Sequence, residues 1–260
     1  MTSRPDEGLA RGPLVVRWLS AFADVPAESI EAALRYWQHV SGHPVGEPQG
    51  RRGEFIPLVP VEADRFVWLQ PVGRPDGGWH LDLHIDDVAA ATAVAVALGA
   101  RIERADHELA TLVSPAGQRF CLVEESASGR RTQEPTLWPG GQRSVLDQIC
   151  FDIPADRFDE ECDFWSVLTG WPRTHGDLGE FDRLTVPAGL PVRVLLQSLG
   201  EDDTGGTRAH LDMCSDDRAA ETDRHVALGG VVINPAEHWT TLRDPAGLVY
   251  CITDRRPGRR

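Results

Sequence analysis

The sequence predicts an α+β protein of four βαβββ modules, paired into two domains with curled mixed sheets. Three observations carry this. The 260-residue chain repeats itself at a spacing near 130 residues. Each copy alternates strand-period apolar runs with two helix-period runs. A stretch rich in Ser, Gly and Pro separates the copies.

The repeat is read directly. Trp79-His80-Leu81-Asp82-Leu83-His84-Ile85-Asp86-Asp87 aligns with Ala209-His210-Leu211-Asp212-Met213-Cys214-Ser215-Asp216-Asp217 at an offset of 130. The same offset pairs Leu98-Gly99 with Leu228-Gly229, and Thr111, Leu112, Pro115, Ala116, Gly117 and Cys121 with Thr241, Leu242, Pro245, Ala246, Gly247 and Cys251. Upstream the offset drifts to 128, where Asp24-Val25-Pro26 meets Asp152-Ile153-Pro154 and Trp37 meets Trp165; Gln70 meets Gln197 at 127. The boundaries that follow are a first domain at 13–124, a linker at 125–143 and a second domain at 144–254, each domain large enough for its own core.

In the second copy, Val145 to Phe151 reads as a strand. Pro154 to Leu168 is a helix with Phe158, Cys162, Trp165 and Leu168 on one face, stopped by Gly170. A short strand is expected near Pro172 to His175. Phe181 to Val186 and Val192 to Gln197 flank the turn Pro187-Ala188-Gly189. Ala209 to Ser215 is a strand and Asp217 to Leu228 a second helix. Val231 to Ile233, Thr240 to Arg243 and Leu248 to Thr253 finish the copy. The first copy repeats the order, with helices at Ala27 to Ser41 and Asp87 to Leu98. Asp86-Asp87 and Asp216-Asp217 read as helix N-caps. Ser114-Pro-Ala-Gly117 and Asp244-Pro-Ala-Gly247 read as turns.

Composition narrows function. A net charge of −14 argues against nucleic acid and anionic membranes as partners. No apolar run reaches bilayer length, and Met1 to Gly12 is polar, so a cytoplasmic protein is expected. Five cysteines without a CxxC pair suggest reduced thiols. Arg255, Arg256, Arg259 and Arg260 read as a frayed, solubilising tail. No GxxxxGK[ST], GxSxG or HExxH motif is present.

Two βαβββ modules per copy, with His-Leu-Asp-Leu opening the second module and Pro-Ala-Gly-x-x-x-Cys near the end, resemble the glyoxalase-like branch of the vicinal oxygen chelate superfamily, which includes bleomycin-resistance proteins and dioxygenases. The resemblance covers residues 14 to 254. Gln70 and Gln197, and Arg208 ahead of His210, fit that branch; the first copy has Gly78 at the Arg208 position. The resemblance implies a cup in each domain, commonly with a divalent metal at its base. It implies lyase, isomerase or ring-cleaving dioxygenase chemistry, or sequestration of an aromatic or peptide-like compound. The family's three ligand positions fall on Ser20, His80 and Cys121 in the first copy. In the second they fall on Gln148, His210 and Cys251. The middle His is kept twice and the final Glu is lost twice. A metal-free cup is therefore the expected state, and Zn, Fe, Ni or Mn are the candidates should a metal bind, with zinc favoured by a His-Cys-Gln set.

Strand alternation puts His80, Asp82, His84 and Asp86 on one face and Leu81, Leu83 and Ile85 on the other. His80 and His84, about 13 Å apart on an extended strand, cannot share one metal. Candidate ligand-binding residues are Gln70, Trp79, Asp82, His84, Gln197, Arg208, Asp212 and Trp239, with Trp68 and Trp171 as further flat walls. Trp37 and Trp165 lie on helix faces and read as core. His107 and His238, each just before a strand, are candidate general bases, with loop histidines as the plainer reading. Cys121 and Cys251 read most simply as buried small hydrophobes; Cys251 with His210 as base is the reactive alternative. The expected partner is a small molecule. The chain is a monomer acting as a pseudo-dimer, or a homodimer.

Overall fold

A computed structural model describes residues 12–75, 77–125, 130–203 and 205–258. The polar N-terminal segment up to Arg11, residues 126–129 of the linker, and Arg259 and Arg260 lie outside them. The first copy holds β1 (Trp18–Pro26), α1 (Ile30–Ser41), β2 (Ile56–Pro57), β3 (Val67–Val72), β4 (Gly78–Ile85), α2 (Val88–Ala97), β5 (Arg101–Ala105), β6 (Leu109–Val113) and β7 (Arg119–Glu124). Its strands run in the order β2-β3-β1-β4-β7-β6-β5. After β8 (Thr136–Leu137), the second copy holds β9 (Arg143–Ile153), α3 (Phe158–Thr169), β10 (Arg173–His175), β11 (Phe181–Leu184), β12 (Arg193–Ser198), β13 (Arg208–Ser215), α4 (Arg218–Ala227), β14 (Val231–Pro235), β15 (Trp239–Arg243) and β16 (Val249–Thr253). Its order is β10-β11-β12-β9-β13-β16-β15-β14, with β8 added beside β9. Both sheets are mixed. The central pairs β1/β4 and β9/β13 are antiparallel, and each central strand has a parallel outer neighbour.

The local signals act as their chemistry requires. Gly42 and Gly170 end α1 and α3 at φ 74° and 69°, a conformation costly for any residue with a Cβ. Asp87 and Asp217 accept from the amides of Ala90 and Ala220 at 2.8 and 3.0 Å. The first module departs from the expected order. Only β2 and β3 follow α1, and two isolated bridges, Val45 to Leu58 and Gln49 to Phe55, stand where the second copy has regular strands. Pro44, Pro48, Pro57 and Pro60 explain this, since each removes a ladder donor.

The helix-bearing faces of the two sheets pack against each other around one continuous apolar core. Trp37 lies edge-on to both Trp79 and Tyr250, with ring centres 5.1 Å apart in each case. Phe120 meets Trp165 at 5.0 Å. Each buried indole needs an acceptor. Trp37 Nε1 donates to Asp244 Oδ2 at 2.8 Å. Trp165 Nε1 donates to Glu161 Oε1 at 2.8 Å, and Ser114 Oγ and the Ala116 amide donate to the same carboxylate. The repeat places Ser114 opposite Asp244 and Ala33 opposite Glu161. The carboxylate thus sits on the loop in one contact and on the helix in the other. The stretch read as a linker is docked where described: Trp138 Nε1 donates to Ser144 Oγ at 2.7 Å, and the Arg224 guanidinium lies 3.5 Å over its ring. No helix among the described residues is long and apolar enough to cross a membrane.

Candidate functional site

The face of each sheet turned away from the helices forms a cup, and strand alternation decides what enters it. His80, Asp82 and His84 face the first cup, while Leu81, Leu83 and Ile85 enter the core. Trp79 shares the parity of Leu81, and packs on Trp37 rather than walling the cup. Trp171 is likewise buried. His80 is opposite Phe22 and Asp82 opposite Ser20. His210 is opposite Cys150 and Asp212 opposite Gln148.

In the second cup the His210 ring is held between two carboxylates. Nδ1 is 3.2 Å from Asp152 Oδ2, and Nε2 is 3.2 Å from Asp212 Oδ1 and 3.5 Å from Cys251 Sγ. Gln148 Nε2 donates to Asp212 Oδ2 at 2.5 Å. Arg208 forks onto Asp203 and brings Nε to 3.7 Å from Asp152. Gln197 Oε1 lies 3.9 Å from Cys150 Sγ. Burial disfavours an imidazolium here, but the adjoining sulfurs and carboxylates outweigh it and raise the His210 pKa well above its ordinary 6.5.

The first cup repeats the row. His80 Nδ1 is 3.3 Å from Asp24 Oδ1 and Nε2 is 3.4 Å from Asp82 Oδ1. Cys121 is close by, and Arg74 pairs with Asp24. Burial opposes the charged His80 ring as well, and its two carboxylates again raise it. Burial pushes the Cys121 thiol up to about 11, so it stays protonated at neutral pH. The space above this row is filled. Phe22 stacks on His80 with ring centres 5.1 Å apart, Trp68 stacks on Phe22 at 5.7 Å, and Phe55 meets Phe22 edge-on. At the other end of β4, His84 Nε2 bonds Ser20 Oγ at 2.9 Å and Nδ1 is 3.3 Å from Glu125. Gln70 lies opposite Asp24 in register. His107 is exposed beside Glu108.

The second cup opens into a cleft of about 800 Å³. Its walls include Leu184, Val194, Leu195, Phe181 and Trp239, the last two coming from β11 and β15 and meeting edge-on at 5.6 Å. His238 is at the mouth, with Nδ1 3.2 Å from Asp254. Gln148 belongs both to the cleft lining and, through Asp212, to the buried row. Arg255 is not part of a frayed tail: its two terminal nitrogens bond both oxygens of Asp147 at 2.8 and 2.7 Å on the cleft floor.

The side chains around His210 match the demands of a divalent ion. Ligand bonds of about 2.0–2.3 Å in a tetrahedron put neighbouring donors about 3.3–3.8 Å apart. His210 Nε2, Asp212 Oδ1 and Cys251 Sγ approach that spacing, and Asp212 Oδ1 is buried without a hydrogen-bond partner. In the first cup, His80, Asp82 and Cys121 form the matching set, and Asp82 Oδ1 likewise has no hydrogen-bond partner. The expectation of a metal-free cup gets no support from this arrangement. Cys251 stands at the position where the resemblance implies a Glu, with Asp212 close by, and both side-chain types suit zinc and similar ions.

Sequence reasoning left out Asp24, Asp152, Cys150 and Asp147. The first two had a signal, since Asp-x-Pro recurs at the 128-residue offset one residue pair beyond Phe22 and Cys150. Asp147 had none: it is an insertion of one residue in β9, where pairing shifts between Asp212 and Met213.

A model of the glyoxalase-like domain matches residues 20–123 and again residues 148–253. Among solved structures, the Mn(II)-bound glyoxalase from Novosphingobium aromaticivorans is similar at 17% identity and TM-score 0.63, covering 93% of this chain and 83% of its own. BphC, a halotolerant catechol dioxygenase, is 16% identical at TM-score 0.58, covering 92% and 87%. A variant of homoprotocatechuate 2,3-dioxygenase from Brevibacterium fuscum is 16% identical at TM-score 0.65, covering 96% and 74%. At these identities the likeness is one of fold. No match was found among curated protein sequences.

Proposed function

The chain belongs to the glyoxalase-like domain family, with two copies in tandem, and from that premise we propose that it binds a small organic molecule in the second cup, above a base able to hold a divalent metal. One observation carries the proposal: the open cleft and the buried His210, Asp212 and Cys251 share Gln148. A pocket of this size with apolar walls and a few convergent polar groups is the usual form of a small-molecule site. His210, Asp212 and Cys251 would hold the metal, with Gln148 orienting Asp212. When bound there, a metal would supply a Lewis acid for a carbonyl or a developing oxyanion. His238, paired with Asp254 at the mouth, is placed to accept a proton from a ligand entering the cleft. Similar proteins include a manganese-bound glyoxalase and ring-cleaving dioxygenases, and lyase, isomerase or dioxygenase chemistry fits the same cup.

A second reading, sequestration without metal, is favoured by one feature. An imidazolium at His210 is paired with both Asp152 and Asp212 without any metal between them. Metal content of untagged protein grown with Zn, Mn, Fe and Ni, measured beside His210→Ala and His80→Ala, separates the two. Near-stoichiometric metal lost in His210→Ala supports the metal reading. Metal-free protein under all four supplements sinks it and leaves sequestration.

A further inference from the structure

We infer that His210 carries a second metal seat on its other ring nitrogen, in which Nδ1, Cys150 Sγ, Asp152 and Gln197 Oε1 hold a zinc-like ion. This seat goes beyond the one proposed above, and the two share only the His210 ring.

The pairing of β9 with its neighbours builds it. His210 stands directly opposite Cys150, and Arg208 opposite Asp152. Residues 150 and 152 share a face of β9, because side chains alternate along a strand. On the other flank, Gln197 of β12 is in register with Asp152. Opposed residues of an antiparallel pair bring their Cβ atoms to about 4.5–5.5 Å, so the imidazole and the Cys150 thiol are held together by the ladder itself.

The ring therefore lies between two donor groups. The ligating atoms of Cys150, Asp152 and His210 lie within 4.8 Å of one another, and so do those of His210, Asp212 and Cys251. Nδ1 is the nitrogen on the Asp152 side, 3.2 Å from Oδ2. Cys150 Sγ is 3.9 Å from Asp152 Oδ1 and 3.9 Å from Gln197 Oε1. These separations lie at or just beyond the edges of the about 3.3–3.8 Å expected between neighbouring donors around a tetrahedral ion. Imidazole, thiol, carboxylate and amide oxygen together suit zinc and similar borderline ions better than calcium or magnesium. Burial pushes the Cys150 thiol up, so it is no nucleophile in the free chain; a coordinated ion removes that proton outright. Filling both seats displaces both ring protons and makes His210 a bridging imidazolate. Two carboxylates, two thiolates and the shared ring then face two dications, so neither buried charge stands alone.

The first copy shows that the fold does not demand this donor set. Asp24, His80 and Gln70 stand at the positions of Asp152, His210 and Gln197. Phe22 takes the place of Cys150, and its ring stacks on His80 at 5.1 Å. The carboxylate, imidazole and amide are the repeated part, and the thiol at this position belongs to the second copy.

The test is the zinc content of the full chain after equilibrium dialysis, beside the thiolate-to-metal absorption of the cobalt(II)-loaded chain. Wild type is expected to hold about two zinc ions per chain. Cys150→Ala and Cys251→Ala should each hold one and keep about half of the cobalt absorption, and the double variant should hold none. Asp152→Ala, which keeps the thiol, should match Cys150→Ala, so the result does not hang on the folding of one variant. One zinc in wild type, kept in Cys150→Ala and lost in Cys251→Ala, overturns the second seat and leaves the site proposed above standing. One zinc lost in Cys150→Ala and kept in Cys251→Ala supports the Nδ1 seat and overturns the other. Zinc-free wild type overturns both and leaves Cys150 a buried small side chain.

Discussion

The two cups share their central strand pairing and an Asp-His-Asp row, and differ in what occupies the space beside it. In the first, Phe22, Trp68 and Phe55 close over His80. In the second, Cys150 replaces Phe22 across the ladder from the histidine, and a cleft of about 800 Å³ opens beside the row. The copies therefore differ at more than one position: Cys150 stands for Phe22 and Leu195 for Trp68. The lesson is that a duplicated fold can keep its polar row in both copies while only one copy keeps access to it. The filled copy then contributes packing, and the open one is free to take a ligand.

The strongest way to break this comparison is to empty the filled cup. Phe22→Ala removes a buried ring in contact with three others and should cost about 3–5 kcal/mol of unfolding free energy. Cys150→Ala at the matching position should cost about 1 kcal/mol, since the loss of one sulfur leaves little cavity behind. Chemical denaturation of both variants reads the difference. Equal losses would mean that Phe22 is not what fills the first cup.

The contact between the copies can be broken separately. Glu161 accepts from Ser114 and the Ala116 amide in the other copy and from Trp165 in its own. Glu161→Ala leaves three buried donors without an acceptor and should cost about 3 kcal/mol. Adding Ser114→Asp to that variant rebuilds the arrangement of Asp244 and Trp37, and should recover a large part of the loss. Failure of the pair to recover would show that the two contacts are not interchangeable.

Acid should weaken the first copy through His43. His43 follows the stop of α1 and is buried, which lowers its pKa from about 6.5 to about 4; Trp171 holds the equivalent position after α3. The neutral ring is favoured in the folded chain. Between pH 6.5 and 4 the unfolded chain binds a proton that the folded chain does not, so this contribution is present above pH 6.5 and is lost as pH falls to 4. The loss approaches about 3 kcal/mol. Glu161 and Asp244, raised by burial, act in the opposite sense. The measurement is therefore the difference between wild type and His43→Phe across this range. A wild-type chain that loses no more stability than His43→Phe would break the assignment.

How much of this was legible in the sequence follows from what kind of signal each feature leaves. Strand and helix order in the second copy could be read because apolar period, glycine stops and aspartate caps are local. The prolines between Pro44 and Pro60 were visible, yet their effect on β2 and its neighbours depends on pairing, which is not local. His210, Asp212, Cys251 and Gln148 could be read as neighbours because the repeat and strand parity align them. Trp79 obeyed the same parity, and should have been assigned to the core with Leu81. The Asp147 bulge and the capture of Arg255 were invisible, because a one-residue insertion inside a strand looks like any other residue until its register is known. His238 and His107 hold similar places, one residue out of step in the repeat, and His238 borders the cleft while His107 is exposed beside Glu108.

The smallest effect sharpens the comparison from the side where the copies should agree. Asp87 and Asp217 cap α2 and α4 through the same bond to the third residue on. Replacing either with Ala should cost about 1 kcal/mol by thermal or chemical unfolding. The two helices nonetheless differ beyond the cap. The first turn of α2 carries no acid, whereas α4 has Glu221 there. That carboxylate is held by Ser144 and Arg224, yet its negative charge still faces the positive end of the helix. Asp87→Ala removes a larger share of the charge available at its helix terminus, so its loss should equal or slightly exceed that of Asp217→Ala. A clearly larger loss for Asp217→Ala would show that its cap also supports the network around Glu221 and His225, and that the copies diverge even where their sequences agree.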